Sequence, residues 1–194
     1  VHRNTGRLID YELWDPISDP VTQELIRRGD TMGCFYVESP ATRLLLKKLW
    51  TTMPQARRAH ADVFEYLVVV SSIIRPAANV YADDFIRRSH GHPYRSWHPL
   101  LDEVLAETHG IMVYQEDVMK VAVALGGFSV HDGDQLRKIL SKKHKERQLR
   151  DYQRQFYEGA AARDVHRSTT DKIWAMIMSF SGYSFCKPHS ASYA

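Results

Sequence analysis

The sequence predicts a mainly α-helical protein, with roughly eight to ten helices joined by short loops and at most a few short strands. Apolar residues recur at helical spacing through most of the chain. Ser, Asp and Pro stand where those patterns begin, as they do at helix starts. The best strand candidate is residues 34–37, which have the aromatic and β-branched composition of a strand. No repeat or linker divides the 194 residues.

Most of the predicted helices have a start or stop signal. The helices are predicted, in order, over residues 18–28, 39–50, 60–74, 81–88, 100–108, 115–125, 133–145, 147–162 and 173–181, with a final stub within 184–194. The predicted N-caps are Ser18 or Asp19, Ser39, and Ser168 or Thr169. The stop signals are Arg75-Pro76, Gly110, Gly126-Gly127 and Gly182.

Two of these segments have further implications. Residues 60–74 are apolar with little charge, which is typical of a helix buried on several sides. Residues 111–114 fit either a short strand or the entry to the following helix.

Composition excludes several classes of protein. The net charge is only +3, so positive charge is local rather than general. Two cysteines, Cys34 and Cys186, do not make a disulfide scaffold and favour free thiols in a cytoplasmic protein. No apolar run is long enough to span a bilayer, and we expect no membrane partner. The chain begins without Met and stops in an uncapped helical run, so we expect a piece of a longer protein.

The helix at 133–145 has two unlike faces. Apolar residues recur on one face, whereas Arg137, Ser141 and Lys145 lie four apart on another. From Arg137 to Arg150 there are seven Lys or Arg and one acid, and like charges four apart weaken a helix. A solvated basic face is the ordinary interpretation. The interleaved Arg and Lys and a downstream aromatic, His and Lys cluster favour a polyanion instead.

That downstream cluster is residues 182–189, GYSFCKPH. A ring, Tyr183 or Phe185, can stack on a base, while Lys187 and His189 can reach polar atoms of a base, sugar or phosphate. A buried helix junction explains the same residues equally well.

Other chemistries find little support. His90, His92 and His98 do not match a zinc-ligand spacing, and no metal site is predicted. The cysteines lack CxxC partners, and no pair of carboxylates stands out as an acid–base dyad. The helix start at Ser39 offers free N–H groups to an anion, but an ordinary capped helix is the simpler interpretation.

Six motifs, in order from about residue 29 to the end, resemble those of one family. They are residues 33–39 (GCFYVES), Arg75-Pro76, residues 85–99 (FIRR, Gly91 and His98-Pro99), residues 107–119 (ETHGIMVYQEDVM), residues 134–138 (DQLRK) with Lys142-Lys143, and residues 182–194 (GYSFCKPHSASYA). The family is the C-family bacterial DNA polymerases, the alpha subunits of DNA polymerase III. One such motif is weak, but six in the same order are specific.

The resemblance implies the helical fingers region of a DNA-directed DNA polymerase, a nucleotidyltransferase. It implies a palm-to-fingers connection over residues 1–28 and the fingers over 29–194. The catalytic carboxylates that hold two Mg²⁺ ions belong to the palm, so no catalytic or metal residue is expected here and the segment alone should be inactive. The implied partners are dNTP, primer–template DNA, and in the whole protein a sliding clamp and other replisome or repair subunits.

Position by position, the resemblance implies a nucleotide site. Arg137 and Lys138 match the basic pair that contacts the triphosphate, with Lys142 and Lys143 as helpers. Tyr183 and His189 match residues near the nascent base pair, and Lys187 lies between them.

The sequence departs from the family pattern in two places. These departures leave open whether the polymerase is a main replicase or an error-prone enzyme. Ile139-Leu140-Ser141 stands where A-M-G is usual, and Ala77 stands where glycine is usual. The alternative from another class is a non-catalytic helical module that binds nucleic acid or protein.

Overall fold

The computed structural model describes the chain except residues 1, 11, 14, 75–78, 141, 143–145 and 181–184. Over the described residues it contains twelve α-helices, two short 3-10 turns, and only an isolated bridge in place of a sheet, which confirms the mainly helical class. The helices are α1 His2–Thr5, α2 Pro20–Arg28, α3 Pro40–Thr51, α4 Gln55–Arg58, α5 Val63–Ile73, α6 Ala82–Ser89, α7 Pro99–Val104, α8 Gln115–Ala124, α9 Val130–Leu140, α10 Glu146–Ala161, α11 Arg167–Ser179 and α12 Lys187–Tyr193. The 3-10 turns are Asn79–Tyr81 and Ala106–Thr108.

Two predicted N-caps are confirmed. Of the two candidates before α2, Asp19 is the cap, and its Oδ2 accepts a hydrogen bond of 2.7 Å from the backbone N–H of Thr22. Ser39 caps α3, and its Oγ accepts from the N–H of Thr42 at 3.2 Å. These bonds satisfy donors that have no partner inside the helix, which is why short polar side chains mark the starts.

Three helix starts differ from their predicted positions by three residues or more, and the first of them is α5, which begins at Val63 rather than at residue 60 because Asp62 caps it. Helix α9 begins at Val130, three residues before the predicted start, because the Ser129 hydroxyl accepts from the N–H of Asp132. Helix α11 begins at Arg167, where the imidazole of His166, rather than Ser168 or Thr169, accepts from the N–H of Ser168. Only short side chains were considered as caps, and a histidine ring nitrogen is also an acceptor.

The strand predicted at residues 34–37 is also wrong. The backbone there turns, with Val37 N–H bonded to the carbonyl of Cys34, and Tyr36 has a positive φ of 75°. Val37 enters the core while the Tyr36 ring stacks on Tyr193 of α12. The local composition favours a strand, but no described strand lies beside this segment. The ring of Tyr36 packs against a helix that is distant in sequence, and the segment forms a turn instead.

Helix α5 is the centre of the N-terminal half. Residues 67–73 are all buried, which confirms the prediction of a helix buried on several sides. Its two serines are satisfied, since both hydroxyls bond the carbonyl of Val68 and Ser72 also bonds Ser190 of α12 at 2.6 Å. The Arg75-Pro76 stop and the Ala77 departure lie outside the described residues.

The described residues form two hydrophobic clusters, and residues 111–114 contribute to both. The first cluster gathers α3, α5 and α6, and the second gathers α7 to α11. Ile111, Val113 and Tyr114 belong to the first cluster, whereas Met112 belongs to the second. The alternation over residues 111–113 is what extended backbone produces, so the segment contacts both clusters without being part of a sheet.

The remaining predictions concern individual residues. His90 bonds the carbonyl of Leu49 at 2.8 Å, and His98 caps α7 through its Nδ1. Ile26 of α2 packs on the first cluster. The predicted boundary between a connection over residues 1–28 and the fingers over residues 29–194 stays a prediction.

None of the helices in the described part of the chain is both long and apolar enough to cross a bilayer.

Candidate functional site

The basic pair on α9 is held by one carboxylate. Arg137 donates from Nε at 3.0 Å and from Nη2 at 2.7 Å to Oδ1 of Asp134, and Lys138 Nζ lies 2.7 Å from the other oxygen. Hydrogen bonds from Lys138 and then Arg137 lower the pKa of Asp134. All three side chains are partly exposed. Asp134 therefore fixes the direction of two cations that would otherwise repel each other.

Gln115, the first residue of α8, connects this pair to the C-terminal segment. Its Oε1 accepts from Arg137 Nη1 at 2.9 Å, and its backbone N–H donates to the carbonyl of Phe185 at 2.8 Å. The isolated bridge between Tyr114 and Phe185 is part of the same junction. The two constellations that the sequence separates by about fifty residues thus meet at the start of α8.

Lys187 lies in an acidic surrounding. Its Nζ is 2.7 Å from Glu107 and 3.4 Å from Glu65, and its backbone N–H donates to Glu116 at 3.0 Å. Burial lowers the pKa of Lys187, but the hydrogen bond and charge of Glu107 outweigh it and the pKa lies above its usual value. The ammonium of Lys187 is therefore engaged by protein carboxylates.

Asp117 holds the extended segment 111–114 in place. Its buried Oδ2 accepts from the N–H groups of Val113 and Tyr114 at 2.9 and 2.8 Å, and Oδ1 lies 3.6 Å from Lys120 Nζ. Burial raises the pKa of Asp117 to about 6, although the two N–H groups and Lys120 act in the opposite direction. The Asp117 carboxylate therefore accepts hydrogen bonds from two backbone N–H groups that a neighbouring strand would accept from in a sheet.

We expect Asp117→Asn to remove a pH dependence of stability. The pKa of Asp117 is about 6 in the folded chain and 3.8 is its ordinary value, so folding favours the protonated acid. The stability that this contributes is complete below about pH 4 and is lost as pH rises through 6, by about 3 kcal/mol in all. Urea unfolding of both proteins from pH 4 to pH 7 should show the wild type losing that amount relative to the variant. A constant difference would contradict the assignment.

An aromatic group lies beside the same junction. Tyr36 stacks on Tyr193 and Phe185 with ring centroids 4.5 and 5.5 Å apart, and Phe35 meets Tyr193 edge-on at 5.5 Å. The exposed ring of His189 lies 6.5 Å from Phe185. His189 therefore stands at the open edge of a set of stacked rings.

The other predicted site residues are not brought to this junction. Lys142 is exposed and lines a separate cleft of about 430 Å³ between α9 and α10, with Asp132 and Gln135. Lys143 and Tyr183 lie outside the described residues.

Sequence reasoning missed the partners of the predicted residues. Asp134 was detectable, because it precedes Arg137 and Lys138 by three and four positions on one helix. Gln115, Glu107 and Tyr36 come from other elements, and no local pattern assigns them.

A known family model matches most of the chain. The model is described as the bacterial DNA polymerase III alpha subunit finger domain, and it matches residues 1–164.

Individual relatives are similar over nearly the whole chain. The DNA polymerase III subunit alpha of Neisseria meningitidis serogroup B is 36% identical over 194 residues, covering 100% of this chain and 16% of that protein. The subunit alpha of Aquifex aeolicus is 37% identical over 183 residues, 92% of this chain and 15% of that protein. A protein of Symbiobacterium thermophilum named error-prone DNA polymerase is 33% identical over 189 residues, 96% of this chain and 16% of that protein. The chain thus spans about one sixth of the length of these relatives.

Proposed function

This chain belongs to the finger-domain family of bacterial DNA polymerase III alpha subunits, and from that premise we propose that it serves a DNA-directed DNA polymerase. In this proposal it binds the triphosphate of the incoming dNTP and contacts the nascent base pair. The observation that carries the proposal is the junction in which Gln115 links Arg137 to Phe185. It joins a phosphate-binding pair to a segment that can contact a base.

Arg137 is assigned to the triphosphate because of its remaining donors. A guanidinium carries five N–H groups, and Asp134 and Gln115 accept from three of them. The other two make no hydrogen bond to the described residues and are held in a fixed plane. Lys138, which is paired with the other oxygen of Asp134, adds a point charge beside them. Phosphoryl transfer depends mainly on such positioning and charge neutralisation.

His189 is assigned to the base side of the site. It lies next to Phe185, whose carbonyl is bonded to Gln115, and beside the stacked rings of Tyr36 and Tyr193. A ring at the edge of such a group can stack on a base pair or bond to a sugar. Tyr183 keeps the same assignment from its motif alone.

Lys187 is assigned a positioning role rather than a direct contact. A triphosphate beside it would also approach Glu107, Glu65 and Glu116, which would repel its charge. The ion pairs instead hold the start of α12 against α8 and α5. Lys142 and Lys143 are proposed as helpers that act by charge alone.

The proposed reaction also needs Mg²⁺, which the resemblance assigns to palm carboxylates. No three His, Cys, Asp or Glu side chains converge as metal ligands within the described part of this chain. The described acidic, histidine and cysteine side chains therefore do not fit a Mg²⁺ ion. The proposed role of this chain is confined to binding nucleotide and DNA. A sliding clamp and other replisome or repair subunits are proposed partners of the whole protein.

A lysine footprint tests the nucleotide assignment. The full-length polymerase, bound to primer–template with a chain-terminated primer, is treated with an amine-acylating reagent with and without the next correct dNTP. Lys138 is half exposed and paired with Asp134, and its acylation without nucleotide sets the reference rate. At ten times the Kd of the dNTP, its acylation should slow about tenfold, measured by peptide mass spectrometry.

Lys172 of α11, which is exposed, is the matched control and should react equally in both samples. Full reactivity of Lys138 in a ternary complex, verified by its retention of labelled dNTP, would contradict the assignment.

A further inference from the structure

A cleft between α2, α3 and α4 has the features of an anion site. It lies where the C-terminal ends of α2 and α3 meet α4 and has a volume of about 420 Å³. Its lining includes four basic and two acidic side chains, a net charge of +2: Arg27, Arg28, Lys47 and Arg58, with Glu24 and Asp30. None of these residues belongs to the junction at the start of α8.

Two buried donors in the lining have no acceptor. The Nε–H of Arg27 and the Nε1–H of Trp50 are both buried without a hydrogen-bond partner among the described residues. The Arg27 guanidinium lies over the Trp50 ring at 5.4 Å, and only its Nη2 is bonded, to Gln23 at 3.3 Å. Buried polar groups are normally satisfied, so these donors are under-used, and an acceptor in the cleft could reach the Arg27 donor once its side chain rotates off the Trp50 ring.

The cations around these donors are available to a ligand. Lys47 is exposed and makes no ion pair with any residue that the structure describes. Arg28 pairs with Asp30 at 2.8 Å, and Arg58 lies 3.7 Å from Glu24, all with side chains more than a third exposed. Exposed pairs of this kind contribute little, so an oxyanion can replace the carboxylates.

We propose that this cleft binds a phosphodiester group of the primer–template backbone. A phosphate presents several acceptor oxygens in diverging directions, which suits donors that come from three helices. The inference rests on the proposed function only in taking DNA as the macromolecule. The cleft adds to affinity for DNA of any sequence, because phosphate contacts carry no base information.

The test measures DNA affinity of the full-length polymerase without dNTP. Fluorescence anisotropy gives the Kd for primer–template at several salt concentrations. Arg27→Gln with Lys47→Gln should weaken binding about tenfold at low salt and reduce the slope of log Kd against log salt by about 1 to 2. The KM for dNTP at saturating DNA should not change, which separates this site from Arg137 and Lys138.

The matched control removes the same charge elsewhere, with Arg154→Gln on α10 and Lys172→Gln on α11. Equal losses of DNA affinity in the two double variants would overturn the proposed site. An unchanged Kd and salt slope in the cleft variant would also overturn it, independently of the result for the Arg137 and Lys138 variant. Because Arg27 packs on Trp50, the exposed single variant Lys47→Glu provides a second test that leaves the core intact.

Two further probes identify the source of the phosphate. A blunt duplex, which has no single-stranded template overhang, should bind the cleft variant more weakly than the wild type, as primer–template does. If the cleft variant instead loses binding of inorganic phosphate alone and binds both DNAs normally, the DNA proposal is wrong.

Discussion

Replacing Arg137 and Lys138 together by alanine is expected to lower kcat/KM for dNTP incorporation about 100- to 1,000-fold in the full-length polymerase. The variant loses a charge-assisted bond from a fixed guanidinium and a neighbouring ammonium, both directed by Asp134. Single-nucleotide primer extension at saturating DNA measures the effect. We expect both a higher KM and a lower kcat, because the charge on the leaving pyrophosphate grows in the transition state.

The charge-matched control for this pair is Arg154→Ala with Lys172→Ala, which removes two exposed cations from α10 and α11. It should change kcat/KM little. An unchanged KM and kcat in the Arg137 and Lys138 variant would make α9 a solvated basic face, as its composition alone permits. A loss confined to DNA affinity would assign the pair to the duplex instead of the nucleotide.

Gly159→Ala is expected to destabilise the chain by about 3 kcal/mol or more. Helix α10 crosses the turn after α8 so closely that a Cβ at residue 159 would lie 1.7 Å from the carbonyl oxygen of Gly126. The obstacle is backbone, so α10 must move away and the buried side chains beside it, such as Phe156 and Ala160, lose contacts. Urea unfolding followed by circular dichroism measures the change.

The paired control is Gly133→Ala in α9. Its Cβ would lie 3.0 Å from Cγ of Met119 and 3.3 Å from both the Met119 carbonyl oxygen and Cγ2 of Val123. Shifts of a few tenths of an ångström relieve these contacts, and alanine favours the helix by about 1 kcal/mol. Its stability should therefore stay within about 1 kcal/mol of the wild type. Equal stability of the two variants would mean that the α8–α10 crossing is looser than the structure has it.

Much of the fold follows from local signals. Asp19 and Ser39 cap their helices as predicted, and the apolar run of residues 67–73 is the buried centre of the first cluster. These features depend on hydrogen bonds and spacings within a few residues, so sequence patterns report them directly. The same holds for the family, since ordered motifs are read along the chain and a family model matches residues 1–164.

The site shows where local signals end. Local composition favoured a strand at residues 34–37, yet packing against Tyr193 requires a turn. Lys187 was grouped with the nucleotide-binding residues, but it lies among Glu107, Glu65 and Glu116, which come from three other elements. The charge of a residue indicates that the residue can bind an anion. It does not indicate whether a carboxylate of the protein already pairs with that residue.

The sequence by itself determined the helical class, the bounds of several helices and the family, because each of these is encoded in patterns along the chain. Tertiary structure alone decided that Gln115 joins Arg137 to Phe185 and that Lys187 lies among Glu65, Glu107 and Glu116. These contacts form only when distant elements pack, since each places a polar group where no local partner exists.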